Sequence, residues 1–191
     1  VTFFHCGAKI SIFANSFTIQ KHKVKKIAIV GLGESAAEFK QDFFSIGVND
    51  VQGTDAVVCV DRPAAFAIDR RQAIFFSPAK IFFSHLDDWN FKTGFRKLYL
   101  KNINVIKTIN DVDTPCSNNS PFVACAVAFK VYRPKEILLF GADFNTHKVL
   151  SDDKLFETTL KDFQLLQSML KKNNCKIVVA SEKSRLFNKL L

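Results

Sequence analysis

Two apolar segments in direct succession, a helix and then a strand, limit what this chain can fold into. They lie in the run NSPFVACAVAFKVYRPKEILLFGADFNTH, from Asn119 to His147. Asn119 or Ser120 is placed to cap a helix by accepting a backbone N–H, and Pro121 suits a first turn that needs no donor. Residues 122–132 are apolar nearly all round, which predicts a buried helix rather than one lying on the surface. Arg133, Pro134 and Lys135 break it, and 136–140 reads as a strand with no polar alternation. A strand of that kind is covered on both faces, which is the habit of parallel sheets. Residues 141–147 then leave its carboxyl end with Asp143, Asn145 and His147 close together, at the edge where parallel α/β sheets hold ligands.

The same beat recurs along the chain. Short apolar runs at 27–30, 46–48, 54–60, 73–76, 80–83 and 175–180 read as strands. An amphipathic helix over 152–172 places Leu155, Phe156, Leu160, Phe163, Leu166 and Leu170 on its core face, and 182–191 reads as a closing helix. Residues 101–109 alternate as an edge strand would. The expected fold is α/β and Rossmann-like, a mostly parallel sheet with helices on both faces, formed by one domain over 24–191. Residues 1–23 form an N-terminal extension whose order the sequence leaves open.

Composition narrows the partners. The chain has 191 residues, 48% of them hydrophobic, and a formal net charge of +9. It is therefore long and apolar enough for a proper core, and its charge favours an anionic partner such as a nucleotide, a sugar phosphate or an acidic membrane surface. Lysine and arginine are spread along the chain, with one tight group at Lys21, His22, Lys23, Lys25 and Lys26, so a dedicated nucleic-acid module has little support. The 21 phenylalanines are read as core packing. Five cysteines, odd in number and without a CxxC pair, read as reduced thiols and predict a cytoplasmic protein. No span of about 20 apolar residues predicts a membrane helix.

Residues 27–37, IAIVGLGESAA, spell strand, tight glycine turn and helix start. Gly31 and Gly33 allow close backbone approach, Ser35 is a cap, and helix-start N–H groups favour a phosphate, although Glu34 brings a carboxylate into the turn. The letters also satisfy GxGxxA, for which Asp50 would be the acidic residue that binds a ribose. Asp61 stands at the third strand's carboxyl end. His85, Asp87 and Asp88 offer too few ligand types for a metal site and read as a solvated loop, so no metal is expected.

In the order of its elements the chain resembles the bacterial sialyltransferases of glycosyltransferase family 42 and the related group of pterin diphosphokinase-like proteins. The likeness is carried over 25–191 by Gly31 to Ala36, by Asn49 ending the second strand, by Asp61 ending the third, by Ser120 and Pro121 before Cys125 to Ala128, and by Gly141 to Phe144. It implies a cytidine-nucleotide sugar as donor substrate, with no further cofactor, held by the glycine turn, Asn49, Asp61, Asn119 and Ser120. It also implies a sugar acceptor whose hydroxyl proton is removed by His147, with Asp143 beside it. Leu32 and Glu34 stand where that family has Asn and Pro, and the tyrosine-bearing lid after GxDF is largely missing. Three other readings stay open: a non-catalytic nucleotide or sugar-phosphate binding domain, a nicotinamide-dependent oxidoreductase, and a pterin diphosphokinase-like enzyme.

Overall fold

The computed structural model describes residues 24–49, 51–58, 81–84, 104–107, 119–145 and 152–190. Seven strands are present among them: β1 (Lys26–Val30), β2 (Ser45–Val48), β3 (Ala56–Val58), β4 (Ile81–Ser84), β5 (Asn104–Lys107), β6 (Glu136–Phe140) and β7 (Lys176–Val179). They form one sheet in the order β5-β4-β3-β2-β1-β6-β7, and every pairing is parallel. The order grows from β1 in both directions, so the chain reverses between β1 and β6. Helix α1 (Ser120–Tyr132) crosses into β6 and helix α2 (Asp153–Lys172) into β7. Right-handed crossovers place both on one face and the 3-10 turn Glu34–Glu38, between β1 and β2, on the other. The result is a Rossmann-like α/β sheet flanked by helical segments on both faces.

Helix α1 starts as its sequence dictates, with Asn119 Oδ1 accepting from the Phe122 N–H at 3.2 Å and Pro121 in the first turn. Residues Phe122 to Ala128 are all buried, as an all-round apolar helix must be. Helix α2 begins at Asp152, whose carboxylate accepts from the N–H groups of Lys154 and Leu155, and buries Phe156, Phe163, Leu166 and Leu170. Leu155 departs from its expected place and is 41% exposed, one step round the helix from the buried stripe. Phe122 of α1 meets Phe163 of α2 edge to face at 5.6 Å, and Phe144, beyond β6, packs on Phe156 and Phe163. The phenylalanines of this region are core, as expected.

Residues 49–55 join β2 to β3, although parallel neighbours ordinarily need a longer crossover. Gly47 makes the short route possible, because a Cβ there would lie 2.6 Å from Thr54 Oγ1 and 3.1 Å from Val51 Cβ. The loop lies flat on the bare strand. Its end is tied down where Asp55 accepts from both the N–H and the hydroxyl of Ser45.

β7 is an edge strand whose outward groups would be open to a second chain. Gln167 of α2 closes it, accepting from Ile177 N–H at 2.7 Å and donating to Ile177 C=O at 3.2 Å and Leu190 C=O at 3.0 Å. The side-chain amide thus mimics a neighbouring strand. Gln167→Leu, which fills the space without a polar group, is expected to lower stability by about 2 kcal/mol by leaving buried backbone groups unpaired. Urea unfolding checks the value.

Two sequence expectations take a different form. The helix after the glycine turn is a five-residue 3-10 segment whose N-cap is Gly33, so Ser35 lies within it and turns its hydroxyl to Asp143 instead of capping it. Residues 182–189 form successive turns rather than a helix, with i to i+3 bonds at Ser181, Ser184 and Leu186. The Arg185 N–H is drawn off to the carbonyl of Asp143, and Asn188 takes φ 57°, so helical bonding cannot propagate. Expectations for 1–23, 73–76 and the loop carrying His85, Asp87 and Asp88 lie outside the described residues. No helix among the described residues is long and apolar enough to cross a membrane.

Candidate functional site

At the reversal between β1 and β6 the two strand exits press together. Gly31 N–H donates to Phe140 C=O and Gly33 N–H to Gly141 C=O, each at 2.8 Å. Neither glycine could carry a side chain there: a Cβ on Gly31 would lie 2.3 Å from Gly141 O, and one on Gly33 2.5 Å from Asp143 Oδ2. Gly141 is left-handed at φ 64° and faces Gly31 in return. The glycines of the turn therefore serve the approach of one backbone to another.

Asp143 locks this approach. Its Oδ2 accepts from Ser35 N–H at 2.8 Å, its Oδ1 accepts from the Ser35 hydroxyl, and Ser35 Oγ accepts in turn from Gly141 N–H at 2.7 Å. Ser35 and Asp143 are 1% and 4% exposed, so these bonds form out of water. The residue after Asp143 turns the other way: Phe144 sits in the core with φ 60°, a left-handed conformation that costs a bulky side chain about 1–2 kcal/mol. Of the turn's amides, those of Gly31, Gly33, Ser35 and Ala36 are taken up inside the protein. Leu32 and Glu34 retain N–H groups without a protein partner among the described residues, and Leu32 is 70% exposed beside them.

On the far side of β1, the exit of β2 meets the start of α1. Asn49 takes φ 56°, which asparagine tolerates, and its Nδ2 donates to Ser120 Oγ at 3.1 Å. Its backbone N–H donates to Val58 C=O, closing the β2–β3 ladder. Asn119 and Ser120 are nearly buried at the N-terminus of a 13-residue helix. The structure thus brings the expected residues together in two groups flanking β1: Gly31, Gly33, Ser35 and Asp143 on one side, Asn49, Asn119 and Ser120 on the other. Glu34 is exposed in the turn between them. Asp50, Asp61 and His147 lie outside the described residues.

No protein-family model matches this chain, and no curated protein is significantly similar to it. Among solved structures, the sialyltransferase CstII from Campylobacter jejuni, determined in complex with the substrate analogue CMP-3FNeuAc, superposes with a TM-score of 0.56. The match covers 85% of this chain and 83% of that one at 20% identity. The likeness is one of fold. It places this chain's sheet, with its reversal at β1 and β6, in the same architectural class as a glycosyltransferase.

Part of the site's support carries no signature in the sequence. The segment after β7 clasps the β6 exit, with Ser184 Oγ donating to Ala142 C=O, Arg185 N–H to Asp143 C=O, and Asn145 Nδ2 to Lys183 C=O. Ser181 and Lys183 reach the other way to Glu38, in the turn after Glu34. This clasp holds Asp143 from its backbone side while Ser35 holds its carboxylate.

Cys125 and Cys175 are both buried and free. Burial pushes the Cys125 thiol far up, and it pushes that of Cys175 up to about 11 against a backbone hydrogen bond that lowers it. Both are expected to resist alkylation at neutral pH until the chain unfolds, which peptide mapping after iodoacetamide treatment checks. Among the described residues no three His, Cys, Asp or Glu side chains gather into a metal site.

Proposed function

We propose that this chain is a glycosyltransferase-like protein that binds an activated nucleotide sugar, of the CMP-sugar class, across the carboxyl ends of β1, β2 and β6, and passes the sugar to an acceptor hydroxyl. The carrying observation is the pairing of Asn49 with Ser120 at the start of α1, beside the sheet's reversal, in a fold shared with a structure that holds a CMP-sugar analogue. Open sheets take ligands at that reversal, and a helix N-terminus favours their phosphates. Asn49, Asn119 and Ser120 present amide and hydroxyl groups suited to a nucleotide, and the N–H groups of Leu32 and Glu34 face it from the turn.

In the proposed reaction the acceptor oxygen attacks the anomeric carbon as the bond to the phosphate oxygen breaks. The nucleotide leaves with that electron pair, and His147 takes the acceptor's proton. Asp143, with both carboxylate oxygens engaged by Ser35, holds the turn in place rather than receiving the proton. A second reading, a nucleotide-binding domain without turnover, is favoured by the same engagement of Asp143 and by the scarcity of tyrosine beyond β6.

A thermal-shift panel of CMP, UDP and GDP sugars tests binding, with CMP sugars expected to give the largest rise. His147→Ala is expected to abolish sugar transfer and leave nucleotide affinity within about twofold. A response to NADH or a pterin, with none to any nucleotide sugar, would overturn the proposal. Binding without transfer by the parent chain selects the second reading.

A further inference from the structure

The opposite end of the sheet carries a cleft that the proposed reaction does not use. It opens where the chain enters β1 and β6, about 16 Å from the glycine turn for five residues at about 3.3 Å each. Its volume is about 380 Å³, within the range of small-molecule sites. Val24, Phe129 and Pro134 form an apolar wall, and Lys25, Arg133 and Lys135 stand around it.

All three cations are exposed, and none of them forms an ion pair among the described residues. Lys135 N–H donates to Lys25 C=O, so the two lysines are held side by side by the sheet despite their like charge. Glu136 is the nearby carboxylate, but its oxygens are taken by Lys26 at 2.8 Å and Lys176 at 3.0 Å. At the helix C-termini nearby, Arg133 N–H donates to Phe129 C=O, and the N–H groups of Asn173, Asn174 and Cys175 donate to Leu170 and Lys171. Among the described residues Lys25 and Lys135 therefore lack an anionic partner. Arg133 lies 4.5 Å over the Phe129 ring, which fixes its guanidinium while leaving its donors for a further group.

We infer that this cleft is a second ligand site, for a small molecule that carries a phosphate monoester on a compact apolar body. The phosphate is held between Lys25, Arg133 and Lys135, and the body packs on Phe129 and Pro134. The pairing of a fixed cationic group with an apolar wall selects for both parts of the ligand, where charge alone would accept any anion.

Titration of the full chain with phenyl phosphate, followed by amide NMR, tests the inference. Saturable shifts are expected at Lys25, Phe129, Arg133 and Lys135, and benzyl alcohol, which lacks the phosphate, is expected to give none. Arg133→Gly with Lys135→Gln should weaken binding about tenfold, glycine being suited to the left-handed backbone at φ 50°. Lys25→Gln with Lys135→Gln gives the same reading without touching that turn. Lys154→Gln with Lys161→Gln removes equal charge from the exposed face of α2 and should leave affinity unchanged. Equal weakening in that control, saturable binding of benzyl alcohol, shifts centred on Gly31, Asn49 and Ser120, or no shifts at all would each overturn it. Loss of nucleotide-sugar binding at the other end would not bear on it.

Discussion

Asp143→Ala is expected to destabilise the protein by about 3 kcal/mol, a fall in melting temperature of about 6–12 °C for a chain of this size. The substitution removes both acceptors of Ser35, whose N–H and hydroxyl are then left without them in a site almost closed to water. Each buried donor left unpaired costs about 1–3 kcal/mol. Asp143→Asn should cost less, because one carbonyl oxygen remains to accept from the Ser35 N–H while the amide group opposes the hydroxyl. Ser35→Ala should also be milder than Asp143→Ala, since the Ser35 N–H keeps its acceptor while Gly141 N–H and Asp143 Oδ1 each lose one partner. The ranking separates two roles for Asp143. A residue that only exchanged protons with a substrate would leave stability unchanged on mutation, so urea midpoints for Asp143→Ala within error of the parent would sink the positioning role. With that role, nucleotide affinity falls in step with stability across the three variants.

Much of this architecture was legible in the sequence, and the reason is that periodicity reports burial. The all-round apolar character of α1 states that it is covered on every side, whereas β6, expected to be covered on both faces, alternates half-buried and buried residues and is fully closed on one face. The cap of α1 was legible for the same local reason: Asn119 acts on an amide three residues away. What stayed hidden was the identity of distant partners. Ser35 and Asp143 are 108 positions apart, and nothing in either neighbourhood names the other. The glycine turn shows the ambiguity most plainly. Bare backbone is needed both where a phosphate comes close and where another strand exit does, so GLG has the same letters in either case. Here Gly31 and Gly33 meet Gly141 and Asp143, and the amides of the turn without a protein partner among the described residues are those of Leu32 and Glu34. The clasp by Ser181 to Arg185 was hidden for another reason, because its amphipathic composition suits a helix until Asp143 takes the Arg185 amide.

That reading of the glycines makes Gly31→Ala the most damaging single methyl in the described residues, with an expected loss of about 3–5 kcal/mol. Its Cβ would lie 2.3 Å from Gly141 O and 2.8 Å from Gly141 C, both backbone atoms. They cannot swing aside as a flexible side chain would. Gly141 is pinned from three sides, by Gly33 N–H on its carbonyl, by Ser35 Oγ on its own N–H, and by the left-handed φ that lets it face Gly31. Relief therefore requires the exits of β1 and β6 to separate, and that breaks the Gly31–Phe140 and Gly33–Gly141 bonds together. Gly53→Ala supplies the internal standard. It replaces a glycine at positive φ, 74°, as Gly31 is not, and a Cβ there meets nothing within 4 Å, so only the left-handed backbone term of about 1–2 kcal/mol applies. Gly31→Ala carries no left-handed backbone term, so a loss larger than that of Gly53→Ala reports the steric contact. Urea unfolding of both measures it directly, and a Gly31→Ala protein no less stable than Gly53→Ala would mean that the strand exits are not in contact. If the contact holds, Gly31→Ala also displaces Leu32 and Glu34, and under the proposed function nucleotide binding is expected to be lost in that variant and to survive in Gly53→Ala.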